Sequence, residues 1–185
     1  FLANVMQLGT NVTGRGTLTV AGGTNALIGP LTVGGSGTGT VWVTGGQLVV
    51  TNTPATVGTG SGFVVDGLVT VANGSAINVS NVNSIVGNRG SGTLNIRSSI
   101  VVSNSPGIVV GNRGSGSLTM NGGTLSTIFG NLTAGFTANA NGAIWVDGSS
   151  SIIMTNPGST IFLGTQGIGQ MTLSNGTVNT SATIV

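Results

Sequence analysis

Six charged side chains occur in this chain of 185 residues: the carboxylates Asp66 and Asp147, and the guanidinium groups Arg15, Arg89, Arg97 and Arg113. Histidine, cysteine, lysine, glutamate and tyrosine are absent. Two carboxylates about 5 to 10 Å apart are what glycoside hydrolysis requires. Nucleophilic, general acid–base and metal-assisted chemistry otherwise draw on the side chains that are missing. Two residue pairs could act by recognition instead. Trp42 and Trp145 could stack on a sugar or bury against another chain, and Arg89 with Arg113 could hold a small anion. What any of them can do depends on where the chain places them.

Placement is governed by a motif that recurs seven times: glycine, any residue, an apolar residue, any residue, a second apolar residue. It occurs at Gly16, Gly39, Gly67, Gly92, Gly116, Gly142 and Gly169, and the first apolar positions are 18, 41, 69, 94, 118, 144 and 171. Their spacings of 23, 28, 25, 24, 26 and 27 residues fall in the range of stacked solenoid coils. A second marker keeps step: small turn pairs such as Gly22-Gly23, Gly45-Gly46, Asn73-Gly74, Ser98-Ser99, Gly122-Gly123, Gly148-Ser149 and Asn175-Gly176 follow each motif. Glycine and asparagine tolerate positive φ there, so the chain should turn a corner. A third marker, an extended pair closed by Gly9, Gly34, Gly58, Gly87, Gly111, Gly135 or Gly164, precedes each motif. Three markers per period predict roughly three strands per coil.

Apolar residues two apart share one face of a strand. Stacked coils therefore predict an inner column of Leu18/Val20, Val41/Val43, Val69/Val71, Leu94/Ile96, Leu118/Met120, Ile144/Val146 and Met171/Leu173. The outward row reads Thr19, Trp42, Thr70, Asn95, Thr119, Trp145 and Thr172. Runs beginning at Gln47, Ala76, Ile100 and Ser151 supply a second strand, ending in breaks at residues 51–54, 103–106 and 155–157. Residues 61–65 and 136–140 are expected to loop out and absorb the variation in length.

On this scaffold Asp66 and Asp147 lie three coils apart, about 14 Å along the axis, and at different corners. They read as Asp-Gly turn residues, and no enzyme activity, cofactor or metal site is expected. Calcium-binding solenoid repeats carry an aspartate in every coil, which this chain lacks. Arg89 and Arg113 fall in register beside an Asn88 and Asn112 ladder, and read as solvated side chains. Trp42 and Trp145 stand four coils apart, about 19 Å, on a contact or glycan face. The threonine rows suggest ice binding only by analogy, and Trp42, Asn95 and Trp145 interrupt them. Sequons at Asn11, Asn73, Asn78, Asn131, Asn175 and Asn179 are expected by chance in a chain this rich in Asn and Thr.

Composition narrows the partners. The 35 glycines do not fall at every third position, which excludes collagen. A net charge of +2 is too sparse to track phosphates, so no nucleic acid is expected. No run approaches the roughly 18 to 20 apolar residues of a membrane helix, and a 4% aromatic content without tyrosine disfavours a membrane barrel. Only 3% of residues are charged and mean hydropathy is +0.45, so Asn, Thr, Ser and Gly must carry solubility.

Residues 86–96, reading Val-Gly-Asn-Arg-Gly-Ser-Gly-Thr-Leu-Asn-Ile, and the matching stretch at 110–123 resemble repeats of bacterial type V autotransporter passengers and PEP-CTERM-associated proteins. The resemblance runs along nearly the whole chain and is sharpest around Gly87 and Gly111. It implies a secreted or surface-attached, right-handed parallel β-helix. The translocating barrel and sorting tail of those families have no counterpart in the sequence, so neither a secretion route nor an anchor carries over.

The fold expected is all-β: a right-handed parallel β-helix (β-solenoid) of about seven coils of 23–28 residues, spanning 1–185 as a single domain. Neither end reads as a polar cap: Phe1 and Leu2 open in apolar strand-like sequence, and Ile184 and Val185 close in it. Leu8 and Val185 are 177 residues apart, close to seven periods. Head-to-tail stacking through Phe1, Leu2, Ile184 and Val185 is one expectation, giving a homo-oligomeric extracellular filament on the surface of a bacterium. The other is a segment of a longer passenger, a monomeric adhesin that binds cell-surface glycan through Trp42 and Trp145.

Overall fold

The computed structural model is an all-β parallel solenoid, and it describes residues 2–51, 61–97, 99–181 and 183–185. In chain order the first strands are β1 (Leu2–Ala3), β2 (Met6–Leu8), β3 (Arg15–Val20), β4 (Thr24–Leu27), β5 (Leu31–Gly34), β6 (Thr38–Val43) and β7 (Gln47–Thr51). The middle coils are formed by β8 (Ser61–Asp66), β9 (Leu68–Val71), β10 (Ala76–Ser80), β11 (Asn83–Val86), β12 (Ser91–Arg97), β13 (Ile100–Val110) and β14 (Ser115–Asn121). The last are β15 (Thr124–Ala134), β16 (Asn141–Asp147), β17 (Ser151–Met154), β18 (Thr160–Leu163), β19 (Ile168–Ser174), β20 (Thr177–Thr180) and β21 (Thr183–Ile184).

All pairing is parallel and runs from coil to coil in three ladders. The motif strands form the first, in the order β3, β6, β9, β12, β14, β16 and β19. With seven strands in that ladder, the chain makes about six full turns. The other two ladders fuse into one sheet, because β13 and β15 are each long enough to serve both.

Register explains the core. Leu18, Val41, Val69, Leu94, Leu118, Ile144 and Met171 pair in one unbroken column, and Val20, Val43, Val71, Ile96, Met120, Val146 and Leu173 in the next. The second ladder contributes the column Leu48, Ile77, Val101, Leu125 and Ile152. The third contributes Val33, Val65, Val86, Val110 and Ala134. These side chains close on one continuous apolar interior, since branched aliphatic residues fit a pleated wall facing other walls. The inner column holds except at its last member: Leu173 is 49% exposed, because no strand among the described residues covers it.

The corners follow the turn markers. Asn73 and Asn175 have φ near 59°, and Gly23, Gly46, Gly122 and Gly148 are also left-handed. At Gly111 the requirement is absolute: φ is 76°, and a Cβ there would sit 2.3 Å from the Asn141 carbonyl oxygen of the next coil. Buried serine hydroxyls tie other corners. Ser75 Oγ donates to Val43 O at 2.6 Å and Ser99 Oγ to Arg97 O at 2.8 Å, while Ser150 Oγ donates to Asp147 O and accepts from Gly122 N at 2.8 Å. Ser98, Gly58 and the expected break at residues 52–54 lie outside the described residues.

Two expectations are corrected. Residues 61–65 do not loop out: they belong to β8, with Phe63 and Val65 buried in register with Leu31 and Val33. Alternating apolar positions on a coil wall bury more surface as strand than as loop. Nor does the chain break at residues 103–106. β13 continues through them, and its pairing to β15 shifts register at Ser103/Asn104 and Asn104/Gly107. Pro106 falls within that irregularity, where a missing N–H is tolerated.

Candidate functional site

The motif ladder presents its outer surface as two parallel rows. One reads Thr19, Trp42, Thr70, Asn95, Thr119, Trp145 and Thr172, and its neighbour Thr17, Thr40, Leu68, Thr93, Ser117, Ala143 and Gln170. Both tryptophans lie on the same row and both are exposed, Trp42 by 39% and Trp145 by 47%. Four strand spacings separate them, about 19 Å.

Their surroundings differ. Thr70, in register with Trp42 and Asn95, is only 3% exposed although it belongs to the outward row. Trp145 instead borders a groove of about 400 Å³, lined by Ser117, Thr119, Ala143, Gln170 and Thr172 together with the β16 segment at Ile144. Small neighbours make that space: Ser117 and Ala143 stand one strand apart in the adjacent row, where the corresponding residues beside Trp42 are the larger Thr17 and Thr40. The lining holds one indole, hydroxyls and an amide, without a charged side chain.

Both carboxylates accept hydrogen bonds from backbone amides. Asp66 Oδ1 accepts from Asn88 N at 2.5 Å, Arg89 N at 3.2 Å and Gly90 N at 3.2 Å, and Oδ2 accepts from Arg89 N at 3.3 Å. The reason appears one coil later. There Asn112 N, Arg113 N and Ser115 N donate to the carbonyls of Gly87, Asn88 and Gly90 in the loop beneath. Directly beneath the loop at 87–90 the chain turns from β8 to β9 with Gly67 alone between them, so there is no loop to offer carbonyls, and the Asp66 carboxylate supplies the acceptors. Asp66 is therefore more than a turn residue: it caps a loop in the next coil. Asp147 does behave as a turn residue, its Oδ1 accepting from Gly148 N at 2.7 Å. The two lie three ladder steps apart on different rows, Asp66 opposite Gly34 and Asp147 opposite Asn121.

The expected asparagine ladder forms: Asn112 Nδ2 donates to Asn88 Oδ1 at 2.8 Å, and Thr137 continues it by donating Oγ1 to Asn112 O. Arg89 and Arg113 project from these loops as exposed side chains. Among the described residues no group of three or more acidic, histidine or cysteine side chains could hold a metal ion, and no helix is long and apolar enough to cross a membrane.

Comparison with known proteins finds no matching family, no matching curated relative and no matching solved structure.

Of the residues expected at stacking ends, Phe1 lies outside the described residues and Leu2 belongs to β1. Ile184 and Val185 are exposed, although the Val185 backbone pairs with the preceding coil through Ile161 O and Leu163 N, both at 2.9 Å. Asp66 as a loop cap was invisible in the sequence. The only hint was that it precedes the first Gly-Asn-Arg-Gly loop by one coil.

Proposed function

We propose that this chain is a structural β-solenoid, a stiff unit that adds coils end to end in a filament or stalk outside a bacterial cell. One observation carries this reading: the motif strands stack in unbroken register, each continuing the apolar columns of the one before. β3 and β19, the first and last strands of that ladder among the described residues, carry the same motif. Among the described residues β19 leaves the apolar side chains of Leu173 and Ile168 exposed. An edge of unpaired backbone groups beside apolar surface is a template for a further parallel strand. Because the motif repeats in register, a β3 edge laid on a β19 edge continues both inner columns, Leu18 over Met171 and Val20 over Leu173. Heterologous contacts of this kind do not close on themselves and grow linearly.

The polar, weakly charged outer rows and the interior of stacked aliphatic columns favour a load-bearing role. The carboxylates, engaged by backbone amides, lend no support to catalysis. Likeness of residues 86–96 and 110–123 to secreted passenger repeats supports the extracellular location.

The test is negative-stain electron microscopy across a concentration series. Unbranched filaments with an axial repeat near seven strand spacings, about 34 Å, are expected. Short rods dispersed at every concentration would remove self-stacking and leave the coils to be continued, if at all, within a longer polypeptide.

A further inference from the structure

We infer that the groove beside Trp145 binds an uncharged polysaccharide, with a pyranose ring stacked on the indole. This inference is independent of end-to-end stacking, since the groove lies on the side wall of the solenoid and not at its edges.

The lining selects the ligand by its chemistry. An indole left 47% exposed offers a flat apolar platform, and such a platform is best covered by a ligand with a flat apolar face of its own. Around it stand Ser117, Thr119, Thr172 and Gln170, whose hydroxyls and amide can both donate and accept hydrogen bonds. A pyranose joins a face of C–H groups to a rim of hydroxyls and meets both demands. The lining has no charged side chain, so an anionic or cationic ligand would lose hydration without gaining a partner.

Size argues against a second copy of the chain as the occupant. A stable protein interface buries roughly 800 Å² per partner around an apolar centre, whereas this groove offers one indole and Ala143 within a polar rim. Its volume of about 400 Å³ falls within the range of roughly 300 to 1,000 Å³ typical of small-ligand sites. Trp42, on the same row about 19 Å away, lies on the line an extended sugar chain would take along the solenoid. It provides a second platform for the same strand.

The test is affinity electrophoresis of the full chain through gels containing hydroxyethylcellulose, dextran or galactomannan, with the Trp145→Ala, Gln170→Ala and Trp42→Ala variants alongside. Retardation in at least one gel is expected, weakened about tenfold by Trp145→Ala, roughly threefold by Gln170→Ala, and less by Trp42→Ala than by Trp145→Ala. In a Trp42→Phe background the remaining indole should shift its emission to the blue when the retarding polysaccharide is added. Circular dichroism checks folding, and Gln170→Ala decides the matter if Trp145→Ala does not fold. Migration unaffected by all three polysaccharides overturns the proposal. So does retardation that Trp145→Ala and Gln170→Ala leave unchanged. A Trp145→Ala effect confined to sedimentation, with no change in sugar binding, would instead make the indole a contact between copies and overturn it equally.

Discussion

The Asp66 carboxylate caps the backbone amide of Asn88, 22 residues away, at 2.5 Å. It does for the first Gly-Asn-Arg-Gly loop what the carbonyls of residues 87–90 do for the second. Replacing it with alanine leaves three amides without that acceptor. Asp66→Ala should cost about 2 kcal/mol in urea unfolding, since hydrogen bonds to charged groups contribute about 1.5–3 kcal/mol. Asp66→Asn, which keeps one acceptor oxygen, should cost less. Faster hydrogen exchange at Asn88, Arg89 and Gly90 would localise the loss, and unchanged exchange there would refute the capping role.

Glycines in this chain differ sharply in what they tolerate. Gly111→Ala forces a Cβ to 2.3 Å from the Asn141 oxygen at a left-handed φ, and a loss of about 3 kcal/mol or more is expected. At Gly22 nothing lies within 4 Å of an added Cβ, so Gly22→Ala should leave the melting temperature unchanged or slightly raised. Equal effects of the two would show that coil stacking does not depend on the close approach at Gly111.

Leu118 is fully buried midway along its column. Leu118→Ala should destabilise by roughly 2–5 kcal/mol, and Leu118→Lys should abolish the cooperative unfolding transition followed by circular dichroism. A lysine tolerated there would mean that the columns are not a packed core.

The same substitution at the open edge should have the opposite profile. Leu173→Lys replaces a half-exposed side chain and should change stability by under about 1 kcal/mol. It should nevertheless shorten or abolish filaments in electron micrographs, because a cation at the joint meets the apolar column of the next unit. Filaments of normal length from Leu173→Lys would exclude β19 from the joint.

Much of the fold was legible because its information is local and repeated. The two-residue spacing in pairs such as Leu94 and Ile96 sets which face is buried, and the 24-residue step to Leu118 and Met120 sets the register. Both tryptophans could be assigned to the outer row by the same alternation. Illegible were features in which a ladder overrides a local preference. Residues 103–106 carry Asn, Ser and Pro, a turn composition, yet β13 passes through them because strands on either side hold it. Residues 61–65 looked like insertion because their coil is the longest, though Phe63 and Val65 occupy wall positions. The groove at Trp145 depends on Ser117 and Ala143 being small in neighbouring coils, and the Asp66 cap on a loop one coil ahead. Neither relation exists until the coils are stacked.

The Gly-Asn-Arg-Gly loops at 87–90 and 111–114 follow one another 24 residues apart, in unbroken register and joined by the Asn88 and Asn112 side chains. A gene duplication that copied this 24-residue unit would hand each new loop the same carbonyl acceptors and each new wall the same apolar neighbours. Length would then grow by about 4.8 Å per copy with no new folding problem to solve. A molecule so built can be lengthened or shortened by recombination between its own repeats, so that its reach can change while the fold of each coil stays the same.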